Sequence, residues 1–211
     1  MTKKEISLFV LLLLSTATFA QEKPAMWFEL EFKKEVTSKL DFELVPEYRL
    51  SPELEWDEYF IEAGIQYELF KFLKVGGAYR FYQENKKKND ETGHRYIFDV
   101  KPELEIDRFE LQWRIRYISY FKSEDVEEPK PYLRYRLKVK YNIKKSDFEP
   151  YVHIETYQDL NKDDFTKIRY TGGVNYEITN RQSVSLFYRY QDFWEKEEVL
   201  HIVGFGYSLE L

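Results

Sequence analysis

The residues of this chain that could do chemistry are mostly charged side chains spaced two apart. Four cations alternate with apolar residues in the segment 131–143: Arg134, Arg136, Lys138 and Lys140. Side chains on a β-strand point to opposite faces with a period of two, so this spacing places the four cations on one face. The next segment, 147–157, carries Glu155 on its charged face. Pairing the two segments about their short turn puts Glu155 opposite Arg134 or Arg136, and Arg–carboxylate pairs are strong and directional in a partly dry interior.

Charged residues recur at alternate positions along the rest of the chain. Together they form a candidate set that lines one face of a sheet. Acidic members come early and basic members in the middle of the chain, so two walls of opposite charge are expected. Such walls bias the passage of charged solutes if the interior is open, and form a closed ion-pair ladder if it is not. The predicted set is Glu43, Glu47, Glu62, Arg114, Arg116, Arg134, Arg136, Lys138, Lys140, Glu155, Arg169 and Arg189.

Candidates for catalysis are few. Histidine is the side chain best suited to proton transfer at neutral pH, and the chain has three: His94, His153 and His201. His201 lies on the apolar face of its segment, where a membrane phospholipase would need it. The serines of the neighbouring segment lie on the charged face, so no Ser–His pair is expected. His94 with Asp90 or Asp99 is the remaining acid–histidine pairing. An enzyme acting on membrane lipids therefore remains an alternative, although the sequence provides no set of catalytic residues for it.

The sequence predicts no metal and no cofactor. The stretch Asp159-x-Asn161-x-Asp163 is similar to the start of a calcium-binding loop. However, Asp164 stands where that loop requires glycine at its sixth position, and Tyr170 stands where it requires glutamate at its twelfth. We interpret this stretch as a polar surface loop.

The elements that position these residues are alternating β-segments. We predict eleven of them, joined alternately by tight turns and by longer, charged connections: 27–35, 39–50, 57–69, 73–82, 94–106, 110–122, 131–143, 147–157, 166–178, 183–192 and 198–211. The apolar faces of the last ten carry almost no Asp, Glu, Lys or Arg, as a face turned to lipid would require. The fold predicted is an all-β, up-and-down, antiparallel transmembrane β-barrel. A soluble, lipocalin-like ligand-binding barrel with its apolar face inward is the alternative.

Composition and the N-terminus agree with an exported barrel. Of the 211 residues, 18% are aromatic and none is cysteine, and the net charge of −6 argues against a nucleic-acid partner. Lys3 and Lys4, an apolar run and Thr18-Phe19-Ala20 form the pattern of a signal peptide, predicted as residues 1–20 and cleaved on export. The predicted location is the bacterial outer membrane, with the lipid bilayer as the partner.

The strand count follows from a parity argument. Single-chain bacterial barrels mostly have an even number of strands. We therefore predict a barrel of about ten strands over residues 39–211, with twelve as the upper alternative. Residues 21–38 then form an N-terminal segment that lies in the lumen or adds an extra strand.

Several short motifs resemble a known family. They are Trp27, Tyr48-Arg49, Arg134-Tyr135-Arg136, Pro150-Tyr151-Val152 with Glu155, Arg169 followed by Gly172-Gly173-Val174, and Tyr188-Arg189-Tyr190. Together they are similar to a family of small exported bacterial barrels catalogued only as a domain of unknown function. The resemblance implies an outer-membrane β-barrel and supplies no catalytic residues. The predicted function is a structural role, or limited permeation of small solutes through a charge-lined lumen.

Overall fold

The computed structural model describes residues 23–86, 90–122, 130–194, 196 and 198–211, so the predicted signal peptide lies outside the described residues. Eleven strands occupy most of this part of the chain: β1 (Ala25–Thr37), β2 (Leu40–Leu50), β3 (Trp56–Phe70), β4 (Leu73–Glu84), β5 (Glu91–Ile106), β6 (Phe109–Lys122), β7 (Lys130–Tyr141), β8 (Phe148–Asp159), β9 (Asp164–Thr179), β10 (Gln182–Phe193) and β11 (Glu198–Glu210). Each predicted segment coincides with one of these strands to within a few residues. In the part of the chain that the structure describes, no helix is long and apolar enough to cross a membrane.

The strands form one closed barrel in chain order. Neighbours in sequence pair antiparallel, and the ring closes where β1 pairs with β11 in parallel, from Ala25 opposite Ile202 to Lys33 opposite Glu210. A parallel closure is required because an odd number of up-and-down strands leaves the first and last running in the same direction. The backbone N–H of Leu211 also donates to the carbonyl of Lys33 at 2.8 Å, which extends the pairing to the last residue.

The prediction of ten strands is wrong, because the wall has eleven. The segment assigned to the lumen or to an extra strand is β1, which pairs with β2 on one side and with β11 on the other. The barrel therefore spans residues 25–210 rather than 39–211. With an even count, the first strand would begin at the same end of the barrel at which the last strand finishes, whereas β1 begins and β11 finishes at opposite ends.

The two ends of the barrel differ in their connections. Two-residue connections at 38–39, 71–72, 107–108 and 180–181 lie at one end, which we call the turn end, together with the six-residue connection 142–147. Asp107 and Lys145 have φ values of 55° and 61°, the left-handed conformation that turns often need. Connections of four to seven residues lie at the opposite end, the loop end. β1 begins at the loop end, and β11 finishes at the turn end.

Charged side chains face inward and large apolar side chains face outward, as the alternation predicts. Ile65 and Phe98 keep 56% and 61% of their surface exposed on the outer face, whereas Glu62, Asp99 and Arg116 are buried inside. This distribution is the reverse of a water-soluble barrel, in which the interior holds the apolar side chains.

Glycines on the inner face make room for aromatic rings. A Cβ at Gly204 would lie 1.9 Å from Cζ of Phe187, and one at Gly173 would lie 2.7 Å from the Tyr151 ring. The rings of Phe187 and Tyr151 therefore lie flat over neighbouring strands and fill the lumen between β8 and β11.

Candidate functional site: the charge-lined lumen

All twelve residues of the predicted set face the lumen and line one cavity of about 890 Å³. The cavity reaches the turn end, where Lys71, Phe72 and Glu210 contribute to its lining. That these twelve residues form an ion-pair ladder or line a solute path stays a prediction. The structure defines their positions and contacts.

Glu155 is the centre of the first ion-pair cluster. Its side chain is fully buried, and Nε of Arg134 donates to its Oε1 at 3.1 Å. Arg114 donates to the same oxygen from Nη2 at 3.2 Å, and Nη1 of Arg169 lies 3.9 Å from Oε2. Arg136 is the direct cross-strand neighbour of Glu155, yet the ion pair forms with Arg134, one inward position along β7. One carboxylate is therefore shared by arginines from three strands, β6, β7 and β9.

A second cluster joins β3 to β6. Both Nε and Nη2 of Arg116 donate to Asp99, at 2.7 and 2.6 Å, in the two-pronged geometry that arginine favours. Arg116 also lies 3.2 Å from Glu62, which accepts from Nε of Arg80 at 2.8 Å. The acidic and basic walls are therefore tied together through β4 and β5 rather than separated.

A third cluster lies nearer the loop end. Nε of Arg49 donates to Glu47 at 2.6 Å, and Nη1 of Arg49 bonds to Glu58. Arg95 lies 3.0 Å from the other oxygen of Glu58. Buried pairs of this kind cost more to break than they gain on forming, because a lone charge left inside is poorly solvated. The three clusters together link eight neighbouring strands of the barrel wall, from β2 to β9.

Sequence reasoning missed an aromatic layer across the loop end of the lumen. The layer consists of Trp27, Phe60, Tyr82 and Tyr157, and the exposed fraction of each side chain is 7% or less. Ile97 and Ile202 are buried at the same level. The alternation of the sequence could have located these rings. The residues two positions away from each ring, on the same face of its strand, are mainly charged or polar.

The aromatic layer is held by arginines stacked on its rings. The closest guanidinium-to-ring distances are 3.9 Å from Arg49 to Trp27, 3.6 Å from Arg80 to Phe60 and 4.2 Å from Arg95 to Tyr82. Trp27 also contacts Arg169 and Arg189, from β9 and β10. Cation–π contacts of this kind are strongest where water is excluded. Phe60 lines the cavity, whereas the other three rings of the layer lie beyond its lining. The cavity therefore ends beneath the layer.

Two of the three histidines, His94 and His201, lie on the outer face of the barrel. Nδ1 of His94 lies 2.6 Å from the hydroxyl of Tyr79, and Nδ1 of His201 lies 2.5 Å from that of Tyr188, all on the outer face. The predicted pairing of His94 with Asp99 does not form, because Asp99 faces inward.

Two further predictions concern the serines of the strand next to His201 and the polar loop that begins at Asp159. Ser183 and Ser185 line the inner cavity, on the opposite face from His201. In the polar loop, Asp159 Oδ1 accepts from the backbone N–H of Asn161 at 2.9 Å. Across the described ranges, no cluster of three or more His, Cys, Asp or Glu side chains could hold a metal ion.

These features define the class of protein: an all-β, closed, up-and-down barrel of eleven mostly antiparallel strands with a charged lumen. The chain belongs to the family described as "Protein of unknown function (DUF2490)", whose model matches residues 25–199. This confirms the resemblance to a family catalogued as a domain of unknown function. No curated protein matches the chain.

Solved structures with similar folds were also found. One is the anion-selective porin from Comamonas acidovorans, at 8% sequence identity and a TM-score of 0.42, with 84% of this chain and 56% of the porin covered. The chain therefore spans little more than half the length of that porin. Another is described as "Unveiling the Mechanism Behind the in-meso Crystallization of Membrane Proteins", at 13% identity and a TM-score of 0.44, covering 81% of this chain and 71% of that one.

Proposed function

We propose that this protein is an exported outer-membrane β-barrel whose lumen is closed by the aromatic layer and opens as a charged cavity at the turn end. Its role is structural, with passage through the lumen limited to small solutes, and it needs no cofactor. The observation that carries the proposal is the inverted distribution of side chains. Contiguous apolar surface of this extent has no role in water, whereas hydrocarbon stabilises it.

Aromatic girdles at both ends of the outer face support a bilayer position. At the loop end, tyrosine hydroxyls bond to polar partners on the next strand, as in Tyr59 with Gln83 at 2.5 Å and Tyr135 with Gln158 at 3.0 Å. At the turn end, aromatic rings pair across strands, as in Phe148 with Tyr176. Amphipathic rings favour the boundary between headgroups and hydrocarbon.

The spacing of the girdles suits a bilayer. Phe148 and Gln158 are ten positions apart on β8, which corresponds to about 33 Å along an extended strand. A strand tilted by about 40° from the barrel axis projects this to roughly 25 Å, the height of the apolar band on outer-membrane barrels. A soluble barrel has no reason to keep two girdles at this separation.

The closed lumen supports the limited role in permeation. Open channels are typical of barrels with many more strands, whereas a barrel of about eight strands is filled by side chains or holds one small ligand. Tight turns of outer-membrane barrels face the periplasm. With that orientation, the cavity opens to the periplasm and the aromatic layer faces the cell exterior.

A matched pair of substitutions tests the membrane position. Ile65→Lys places a charge near the middle of the outer band and is expected to destabilise the barrel in lipid by roughly 2–4 kcal/mol. Leu54→Lys changes a 61%-exposed residue in a loop, and we expect little effect. Urea unfolding in liposomes, followed by tryptophan fluorescence, measures both. Equal stability of the two variants, or recovery of the protein from the soluble periplasmic fraction without detergent, would contradict the proposal.

Conductance tests the closed lumen. In planar bilayers, the wild-type protein is expected to show no large stable channel, because the aromatic layer spans the path. Conductance at the level of a general porin would show that the layer does not close the lumen.

A further inference from the structure

Two cations on the β6–β8 wall of the cavity have no carboxylate partner. Among the described side chains, no carboxylate oxygen lies within 4.0 Å of Arg136 or Lys138. Among the residues that the structure describes, the guanidinium of Arg136 bonds to the side-chain oxygen of Gln112, and Nζ of Lys138 lies 4.3 Å from the centre of the Tyr151 ring. Neighbouring cations on the same wall differ, since Lys140 lies 3.1 Å from Glu110.

The register concentrates positive charge around these two residues. Arg114 lies directly opposite Arg136, and Arg116 directly opposite Arg134, on the same inner face of β6 and β7. Like charges directly opposite each other on a sheet are destabilising. The carboxylates of Glu155, Asp99 and Glu62 pair with Arg114, Arg116 and Arg134, and Glu155 and Glu62 are also shared with Arg169 and Arg80. The cations of this wall therefore outnumber the carboxylates that contact them.

Donor atoms on the same wall are left without partners. Arg114 is 92% buried, and its Nε has no hydrogen-bond partner among the described residues; the same holds for Nε of Arg136. His153 lies directly opposite Lys138, and neither of its ring nitrogens has a hydrogen-bond partner within the described part of the chain. A buried polar group without a partner costs on the order of 1–3 kcal/mol. A stable barrel that keeps several of them on one wall has a reason to do so.

We propose that this wall, formed by Arg114, Arg136, Lys138 and His153, is a binding subsite for a small oxyanion that carries two negative charges, such as a phosphate group or a dicarboxylate. Two guanidinium groups and an ammonium group match the several acceptor oxygens of such an anion. The turn-end opening gives it access, and the opposite wall of the cavity carries acidic side chains such as Glu31, which favours a position for the anion beside the cations. The subsite depends on the geometry of the lumen and not on the proposed position in the membrane.

The experiment uses the full-length protein in detergent. Binding of inorganic phosphate, succinate and chloride is measured by isothermal titration calorimetry and by the shift of the unfolding temperature with ligand concentration. We expect phosphate or succinate to bind and chloride at the same ionic strength to have no effect. The difference between phosphate and succinate identifies the chemistry of the ligand.

The variant Arg136→Gln/Lys138→Gln tests the residues. Each lost charge-assisted hydrogen bond is expected to weaken binding by about tenfold or more. Lys140→Gln is the matched control, because it removes the same charge two positions further along the same face of β7 and is expected to leave binding within about twofold. The double variant should unfold at the same or a higher temperature without ligand, because it relieves repulsion between cations.

Two outcomes would overturn the inference. One is wild-type protein that binds neither phosphate nor succinate at tens of millimolar. The other is binding that the double variant retains, or that Lys140→Gln reduces equally. Neither outcome bears on whether the barrel lies in a membrane, which fractionation and the Ile65→Lys comparison decide separately.

Discussion

Replacing Glu155 by glutamine should destabilise the barrel more than any other single carboxylate change. Glu155 is fully buried and contacts Arg134, Arg114 and Arg169, so the substitution keeps the shape of the side chain and removes the charge that three guanidinium groups share. Removing one partner of a buried ion pair typically costs about 3–5 kcal/mol, because the remaining charge is uncompensated. For a chain of this length, that corresponds to a fall of roughly 6–20 °C in the unfolding temperature.

The matched control is Glu149→Gln on the same face of β8. Glu149 is 28% exposed and lies 3.9 Å from Lys140, so its loss should cost less than about 1 kcal/mol. Heat-dependent mobility on detergent gels and circular dichroism follow both variants. A second test adds Arg134→Gln to Glu155→Gln. Removing one of the uncompensated cations should recover part of the lost stability.

Unfolding of Glu155→Gln within the range of the Glu149→Gln control would contradict this expectation. So would a double variant that is less stable than Glu155→Gln by the full cost of a second independent substitution. Either result would mean that the buried arginines are solvated well enough not to need Glu155.

The remaining predictions concern the lumen-filling rings. Trp27→Ala and Phe60→Ala are expected to raise single-channel conductance in planar bilayers, because each removes a ring of the aromatic layer. The control is Phe205→Ala, on the outer face. It also lowers stability but should leave conductance unchanged. Gly204→Ala should destabilise the barrel by about 1–3 kcal/mol, because its Cβ would lie 1.9 Å from an aromatic ring. Gly172→Ala is its control: a Cβ there has nothing within 4 Å, so its urea midpoint should match or exceed that of the wild type.

Strand positions and the inner or outer face of each residue could be predicted because both depend on local pattern. In β7, arginine and lysine at alternate positions show the lumen-facing side without any knowledge of the neighbouring strands. The contact of Glu155 with Arg134 was within reach for a similar reason, since a short turn restricts how β7 and β8 can pair.

Which cations remain unbalanced was not predictable in this way. Arg136 and Lys138 have the same parity and spacing as Arg134 and Lys140. They differ only in where Glu155 and Glu110 direct their carboxylates across the strands. Side-chain reach along the neighbouring strands decides that, and a period-two pattern contains no information about it.

That this chain forms alternating strands with a charged face and an apolar face follows from its sequence alone, because period-two alternation is a property of the extended backbone. The strand number and the positions of the rings inside the lumen depend instead on pairing between strands that are distant in the chain. β1 alternates like every other segment, and it becomes part of the wall only by pairing with β11, at the far end of the chain. That closure brings Trp27 beside arginines of β9 and β10, and so places a ring across the interior that no local pattern could locate.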